Sequence, residues 1–129
     1  MERIRILIVD DEPDFVDPMV RRLRDRNLDA VGVLSGAQAL DLLDKREFDV
    51  LLLDLRMPGI DGFETLREAK RKQPELGVIM LTGQSASELG AYGLDLADHN
   101  YLVKPVPLDD LLTKIREAYA SKLKMSDTE

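Results

Sequence analysis

An uninterrupted apolar run with an acid directly behind it constrains the fold more than any other feature of the sequence. The run is Val50-Leu51-Leu52-Leu53, and the acid is Asp54. A short run without alternation is typical of a strand buried on both faces, and such strands belong to parallel sheets covered by helices. Turn residues in Met57–Gly59 and Asp61-Gly62 end the strand, which places the Asp54 carboxylate at the carboxyl edge of the sheet. Open parallel sheets bind their ligands at that edge.

Four more apolar runs divide the chain into alternating strands and helices. These runs are Ile4–Val9, Ala30–Leu34, Val78–Leu81 and Tyr101–Val103. Gly32 weakens the second run and favours an edge position for it. Amphipathic spacing predicts five helices, which begin near Pro13, at Ser35 or Gly36, near Asp61, near Ser85 and near Leu108. The alternation predicts an α/β protein with a doubly wound, five-stranded parallel sheet and five helices.

Two segments depart from this regular pattern. Pro18 lacks the N–H that a helix interior requires, so we expect the first helix to be kinked or to begin late with Asp17 as its cap. The chain turns polar at its carboxyl end, where we expect fraying from Lys122 onward. We therefore assign the domain to residues 1–122 and a polar tail to residues 123–129.

The composition narrows the possible functions. The 129 residues include 25 acidic and 18 basic side chains, a formal net charge of -7, so the chain has no general attraction for nucleic acid or an anionic membrane. The absence of cysteine excludes thiolate metal sites and cysteine nucleophiles. The first apolar run ends at Asp10, which is too early for a signal peptide or a membrane span. We expect a single cytoplasmic domain without direct nucleic-acid or membrane contact.

Polar side chains follow the predicted strands where each one ends. Asp10 and Asp11 follow the first strand, Asp54 the third, Thr82 the fourth and Lys104 the fifth. Each residue alone has an ordinary structural explanation, and it is their combination at one sheet edge that indicates a site. Three carboxylates held together repel one another unless a cation lies among them, and Mg²⁺ suits such oxygen ligands. Without a histidine or cysteine base in the pattern, a carboxylate nucleophile attacking phosphorus is the chemistry that remains.

Four motifs together resemble the receiver domain of two-component response regulators. They are Ile8-Val9-Asp10-Asp11, Leu52-Leu53-Asp54 with its Met57–Gly62 turn, Leu81-Thr82-Gly83, and Tyr101-Leu102-Val103-Lys104-Pro105. The resemblance covers the chain from about Ile4 to Ala120 and is closest to the chemotaxis type of receiver. It implies a flavodoxin-like fold with the sheet order 2-1-3-4-5.

The resemblance also implies what the site residues do. Asp54 would accept a phosphoryl group from a phosphohistidine on a sensor histidine kinase or a histidine phosphotransfer protein. Lys104 would bind one phosphoryl oxygen, and Thr82 would hydrogen-bond another. Such a domain is not a conventional enzyme, although it assists its own phosphorylation and dephosphorylation.

The metal ligands follow from the same resemblance. Asp11, Asp54 and the backbone carbonyl of Arg56 would hold Mg²⁺, and Asp10 would assist through a water molecule. In physical terms, the metal ion and a lysine neutralise the charge on the in-line transition state.

Switching is the remaining implication of the resemblance. Thr82 would move toward the phosphoryl group while Tyr101 turns inward. The helix predicted from about Ser85 to Ala97 connects the two, and Gly90 and Gly93 each weaken it by about 1 kcal/mol relative to alanine. We expect phosphorylation to change the surface that this helix forms with the fifth strand and the last helix, which would then engage an effector domain, a partner or a second copy of the chain.

Three other functions are open from the residues alone. An aspartyl-phosphate phosphohydrolase of the haloacid dehalogenase type would use the same nucleophile, but Arg56 stands where those enzymes carry a second aspartate as general acid. A flavodoxin-like FMN carrier would share the fold, but Asp10-Asp11-Glu12 would repel its phosphate. A receiver-like interaction module that is never phosphorylated is disfavoured by the intact set of site residues.

Overall fold

Strands and helices alternate along the chain in the computed structural model, which describes residues 3–55, 62–82 and 100–127. The strands are β1 (Arg5–Val9), β2 (Asp29–Val33), β3 (Val50–Asp54), β4 (Gly77–Thr82) and β5 (Asn100–Val103). The helices within the described ranges are α1 (Pro13–Asp25), α2 (Gly36–Lys45), α3 (Gly62–Lys72) and α4 (Leu108–Asp127). None of these helices is long and apolar enough to cross a membrane.

The five strands form one parallel sheet with the order β2-β1-β3-β4-β5. This confirms the predicted sheet and puts β3 at its centre, with all five of its residues buried. The helix predicted from about Ser85 to Ala97 falls outside the described residues, so four of the five predicted helices are described.

Each face of the sheet carries its own apolar core, because neighbouring residues of a strand point to opposite faces. Ile6 and Ile8 of β1 pack in one cluster with α1 and α4, whereas Leu7 and Val9 pack in another with α2 and α3. Helices therefore cover both faces, as the doubly wound class requires. The site-bearing ends of the strands rest on this two-sided core.

Helix α1 corrects the expectation for its amino end. The helix begins at Pro13 and runs through Pro18, so the later start with Asp17 as cap is wrong. Glu12 is the N-cap residue, and its carbonyl accepts hydrogen bonds from the N–H groups of Phe15 and Val16 at 3.0 Å each. The helix continues past Pro18 because it buries four apolar side chains, and burial of each stabilises the fold by about 1.5–3 kcal/mol. They are Val16, Met19, Val20 and Leu23.

Strand β2 lies at the sheet edge, as Gly32 predicts, and begins one residue earlier than the pattern indicates. A Cβ atom on Gly32 would collide with the side chain of Val16 and would lie 2.9 Å from Val20 Cγ2. Glycine is therefore needed here for the close approach of α1 to the edge strand.

Helix α4 corrects the expectation for the carboxyl end of the chain. The helix continues to Asp127, and the Lys122 side chain is buried rather than frayed. The Lys122 ammonium donates to Asp49 Oδ1 at 2.6 Å and to the Phe48 carbonyl at 3.3 Å. A lysine that looks polar in sequence is thus tied to the amino end of β3, because its ammonium reaches a buried carboxylate.

The Gln73 side chain holds the α2–β3 connection in place through three backbone groups. Its Nε2 donates to the carbonyls of Leu43 and Arg46 at 2.9 Å each, and its Oε1 accepts from the Phe48 N–H at 3.1 Å. We expect Gln73→Ala to lower the free energy of unfolding by about 1–3 kcal/mol, because it leaves backbone groups without partners. Gln73→Glu should not restore the loss, since a carboxylate cannot donate. Urea unfolding of the three forms measures this, and an unchanged Gln73→Ala would contradict it.

Candidate functional site

The parallel arrangement brings four strand ends to one edge of the sheet. Asp10 follows β1, and its N–H still donates to the Val33 carbonyl of β2 at 3.3 Å. Asp54 is the last residue of β3 and pairs in register with Leu81 of β4. Because the ladders fix these backbones, the position of each carboxylate is set by the sheet rather than by a loop.

Four carboxylates converge at this edge. Asp10, Asp11, Glu12 and Asp54 each offer an oxygen, and these oxygens all lie within 4.8 Å of one another. Asp10 and Asp54 are buried, with 0% and 4% of their surfaces exposed, whereas Asp11 and Glu12 are open to solvent. The cluster therefore has a buried floor and an open rim.

The Lys104 ammonium lies among these carboxylates. It is 2.5 Å from Asp10 Oδ2, 3.2 Å from Glu12 Oε1 and 3.5 Å from Asp54 Oδ2. The same ammonium lies 4.6 Å from the centre of the Phe15 ring. The Lys104–Pro105 peptide bond that follows is cis. Lys104 thus supplies one positive charge to a group of four acids.

Burial and contact with an opposite charge shift the pKa values of Asp10 and Lys104 in opposite directions. Burial is the largest influence on Asp10 and raises the pKa of that carboxyl, and the neighbouring Asp54 charge raises it further. Contacts with Lys104 and the Glu12 N–H lower it, but not enough to cancel the burial. Burial alone lowers the pKa of Lys104, yet the hydrogen bond to Asp10 and the Asp54 charge outweigh it and leave that pKa raised. Mutual repulsion of the carboxylates, the cause expected from the sequence, is therefore a smaller influence on the Asp10 pKa than burial.

The donor set fits a hard divalent cation. Carboxylate oxygens are the ligands that Mg²⁺ and Ca²⁺ prefer, and four of them lie within reach of a single ion. Asp10 Oδ2 is buried, and its described partner is the Lys104 ammonium at 2.5 Å. The acids thus already attract one cation, and their oxygens are of the kind that a divalent ion prefers.

The structure brings together most of the residues that the sequence singles out. Asp10, Asp11, Asp54 and Lys104 share one cluster. Arg56 lies outside the described residues, so its carbonyl stays a prediction. The backbone places Thr82 at the carboxyl end of β4, in register with Val103 of β5. Tyr101 is half-buried and packs against the α2–α3 side of the sheet.

Sequence reasoning missed two neighbours of Lys104. Glu12 and Phe15 both contact its ammonium, and they lie three residues apart at the amino end of α1, where Glu12 is the N-cap residue. Their spacing is visible in the sequence, because residues three apart share one face of a helix. Lys104 follows β5 and was expected at this edge, but its contact with Glu12, 92 positions away, depends on how α1 packs and was not predicted.

Comparison with known proteins decides the family. The family model of the response regulator receiver domain matches residues 6–116, which is most of the chain. The chain belongs to the response regulator receiver domain family. A transcriptional regulatory protein, TcrA of Mycobacterium tuberculosis, is 35% identical to it over 113 residues. That alignment covers 88% of this receiver domain but 45% of the relative, so the chain spans less than half of the relative's length.

Solved structures resemble the receiver domain over nearly its whole length. A CheY-like receiver domain protein from Methanospirillum hungatei is 29% identical with a TM-score of 0.86, covering 96% of this chain and 99% of the other. The response regulator TrrA from Thermotoga maritima, solved in complex with Mg²⁺ and BeF, is 31% identical with a TM-score of 0.75. That alignment covers 89% of this chain and 98% of TrrA. The receiver domain therefore acts in two-component signalling, and its acidic cluster fits magnesium binding.

Proposed function

We propose that this receiver domain accepts a phosphoryl group on Asp54 from the phosphohistidine of a sensor histidine kinase or a histidine phosphotransfer protein. One observation carries the proposal. Asp54 ends the central strand, is 4% exposed, and lies 3.5 Å from the Lys104 ammonium within a group of four acids. A buried carboxylate facing a cation at an open sheet edge is suited to nucleophilic attack on phosphorus.

The transfer is an in-line displacement. An oxygen of the Asp54 carboxylate forms a bond to phosphorus while the bond from phosphorus to the histidine nitrogen breaks. The imidazole leaves as a neutral ring after taking a proton from solvent, and Asp54 becomes an acyl phosphate. Water later attacks the same phosphorus, the bond from phosphorus to the Asp54 oxygen breaks, and inorganic phosphate leaves while the carboxylate is restored. The domain thus promotes both the phosphorylation and the dephosphorylation of its own Asp54, and in this it differs from a conventional enzyme.

The surrounding residues handle the charge of this reaction. Asp10, Asp11 and Asp54, with the Arg56 carbonyl, would hold Mg²⁺, which when bound neutralises negative charge on the phosphoryl oxygens. The Lys104 ammonium is close enough to Asp54 to bind an oxygen of the phosphoryl group. Asp10 also holds the site's backbone, because its Oδ1 accepts from the Glu12 N–H at 3.0 Å. The electrostatic arrangement therefore exists before the phosphoryl group arrives.

Metal dependence tests the proposal. The wild-type protein is incubated with a small acyl phosphate donor, once with Mg²⁺ and once with an excess of chelator, and intact mass is followed over time. We expect a gain of one phosphoryl group with Mg²⁺ and little or none with chelator. No gain at any Mg²⁺ concentration would support an interaction module that is never phosphorylated. Rapid, continuous consumption of the donor without a labelled protein would support a phosphohydrolase instead.

We propose that the output leaves through β5 and α4, with Thr82 and Tyr101 as the switch between Asp54 and that surface. Val103 ends β5 and exposes 42% of its surface, which is high for a large apolar side chain. The relative TcrA is named as a transcriptional regulator and is more than twice the length matched here. An effector domain or a second receiver domain is therefore the proposed partner, and the cytoplasm, where the kinase donates its phosphoryl group, is the proposed location.

A further inference from the structure

The Lys104 ammonium is held from two chemically different sides. Carboxylate oxygens of Asp10, Glu12 and Asp54 lie within 2.5–3.5 Å on one side. The ring of Phe15 lies on another, with its centre 4.6 Å from the ammonium nitrogen. The Lys104 side chain is 20% exposed, so these contacts form in a partly desolvated place. A cation over an aromatic face is stabilised most where water is largely excluded.

Helix α1 sets the position of this ring. Pro13 pre-forms the first turn, and the Phe15 N–H donates to the Glu12 carbonyl at 3.0 Å. Phe15 is half-buried and packs against the core cluster on the α1–α4 side of the sheet. The ring therefore has a fixed support on the core, and the Lys104 ammonium lies against it.

The ring differs from the carboxylates in what it does once ligands enter. A divalent cation competes with the Lys104 ammonium for the carboxylates, because both are positively charged. A phosphoryl group competes with the carboxylates for the ammonium, because both are negatively charged. The face of Phe15 binds neither a metal ion nor a phosphoryl oxygen, so its attraction for the ammonium persists. Phe15 can thus hold Lys104 beside Asp54 after the acids have taken other partners.

We propose that Phe15 is a positioning residue for Lys104, which keeps the ammonium at the mouth of the acid cluster for the phosphoryl group on Asp54. The inference rests on the proposed phosphoryl chemistry of Asp54, but the contact itself can be measured without it. The alternative role of Phe15 is apolar packing alone.

Proton NMR of the Lys104 side chain tests the contact directly. In wild-type protein the Lys104 Hε resonances should be shifted upfield by the ring current of Phe15. Phe15→Leu, which keeps an apolar side chain but removes the ring, should abolish that shift, whereas Phe15→Tyr should retain it. An unshifted Lys104 in wild-type protein would overturn the proposal, whether or not Asp54 is ever phosphorylated.

Binding of beryllofluoride, an analogue of the phosphoryl group, tests the consequence in the presence of Mg²⁺. We expect Phe15→Leu to raise its dissociation constant about three- to tenfold and Phe15→Tyr to stay within about twofold of wild type. The dissociation constant for Mg²⁺ alone should stay within about twofold in both variants, because an aromatic ring offers a hard divalent cation no oxygen ligand. In a Lys104→Met background, Phe15→Leu should have no further effect.

Leu28→Ala separates positioning from packing. Leu28 also packs against the α1–α4 core cluster, but it contributes no ring beside Lys104. We expect this variant to lower the melting temperature without changing beryllofluoride binding. Equal weakening by Leu28→Ala and Phe15→Leu, or a Phe15→Leu effect that persists without Lys104, would overturn the proposal. Failure of wild-type protein to bind beryllofluoride would refute the proposed function, and the NMR shift would still decide the role of Phe15.

Discussion

Asp54→Asn is expected to accept no phosphoryl group from any donor that labels the wild-type protein. The asparagine amide has nearly the same shape as the carboxylate but is not a nucleophile toward phosphorus. The fold should survive, because the substitution removes one of four clustered negative charges and leaves Lys104 its contacts with Asp10 and Glu12. Intact-mass measurement with Mg²⁺ and a small acyl phosphate donor checks the expectation.

Two control variants sharpen the comparison for Asp54→Asn. Asp14→Asn changes an exposed acid in the first turn of α1 and should be labelled at the wild-type rate. Asp11→Asn removes a proposed metal ligand, so its labelling should be slow at low Mg²⁺ and recover as Mg²⁺ is raised. Labelling of Asp54→Asn at the wild-type rate would show that another residue is the acceptor.

Asp49→Ala is expected to lower the free energy of unfolding by about 3–5 kcal/mol, because it leaves a buried ammonium without its counter-ion. Asp49 is 5% exposed and accepts from the Arg5 N–H at 2.8 Å, the Arg5 guanidinium at 3.1 Å and Lys122 at 2.6 Å. After the substitution, the Lys122 ammonium keeps only the Phe48 carbonyl of its two described contacts. Chemical unfolding near neutral pH measures the loss.

A surface ion pair provides the matched control for Asp49. Asp41 pairs with Lys45 at 2.9 Å, and about two thirds of each side chain is exposed. Asp41→Ala should therefore cost at most about 0.5 kcal/mol. Lys122→Met should reduce the effect of a subsequent Asp49→Ala, because no buried ammonium is then left without its counter-ion, although the Arg5 contacts are still lost. Equal losses for Asp41→Ala and Asp49→Ala would contradict the buried network.

Lowering the pH should abolish the contribution of Asp49 to the free energy of unfolding. Burial alone raises the pKa of this carboxyl, but hydrogen bonds from Arg5 and Lys122 outweigh it and hold the pKa below its ordinary value. A lowered carboxyl pKa stabilises the fold above the unfolded-state value of about 3.9, and that stabilisation is lost as pH falls through the folded-state value. The stability difference between wild type and Asp49→Asn should therefore shrink below about pH 4. A difference that grows in acid would contradict this.

The positions of the strands could be predicted because their signal is local. Runs such as Val50–Leu53 are apolar at every position, which favours a short strand covered by helices on both faces. The strand ends could be predicted from the same local signal, and this places Asp10, Asp54 and Lys104 each directly at or after the end of a strand. Once the strands are parallel, their carboxyl ends must meet.

The features that escaped prediction depend on contacts between distant parts of the chain. Lys122 looks like part of a polar tail until Asp49, 73 positions away, is placed beside it. Pro18 predicts either a kinked helix or a late start, and the late start is wrong because the apolar side chains that α1 buries outweigh the local cost of the proline. The contact of Phe15 with Lys104 depends on side-chain directions across two elements, which periodicity alone does not determine.

Chemical mapping of the modified residue tests the central claim most directly. Borohydride reduces the acyl phosphate of an aspartate to homoserine, so the acceptor is marked permanently and can be located by peptide mass spectrometry. After incubation of wild-type protein with Mg²⁺ and an acyl phosphate donor, we expect homoserine at position 54 and unchanged aspartates at positions 10 and 11. Homoserine at Asp10 or Asp11, or none in protein that has gained a phosphoryl group, would contradict the account.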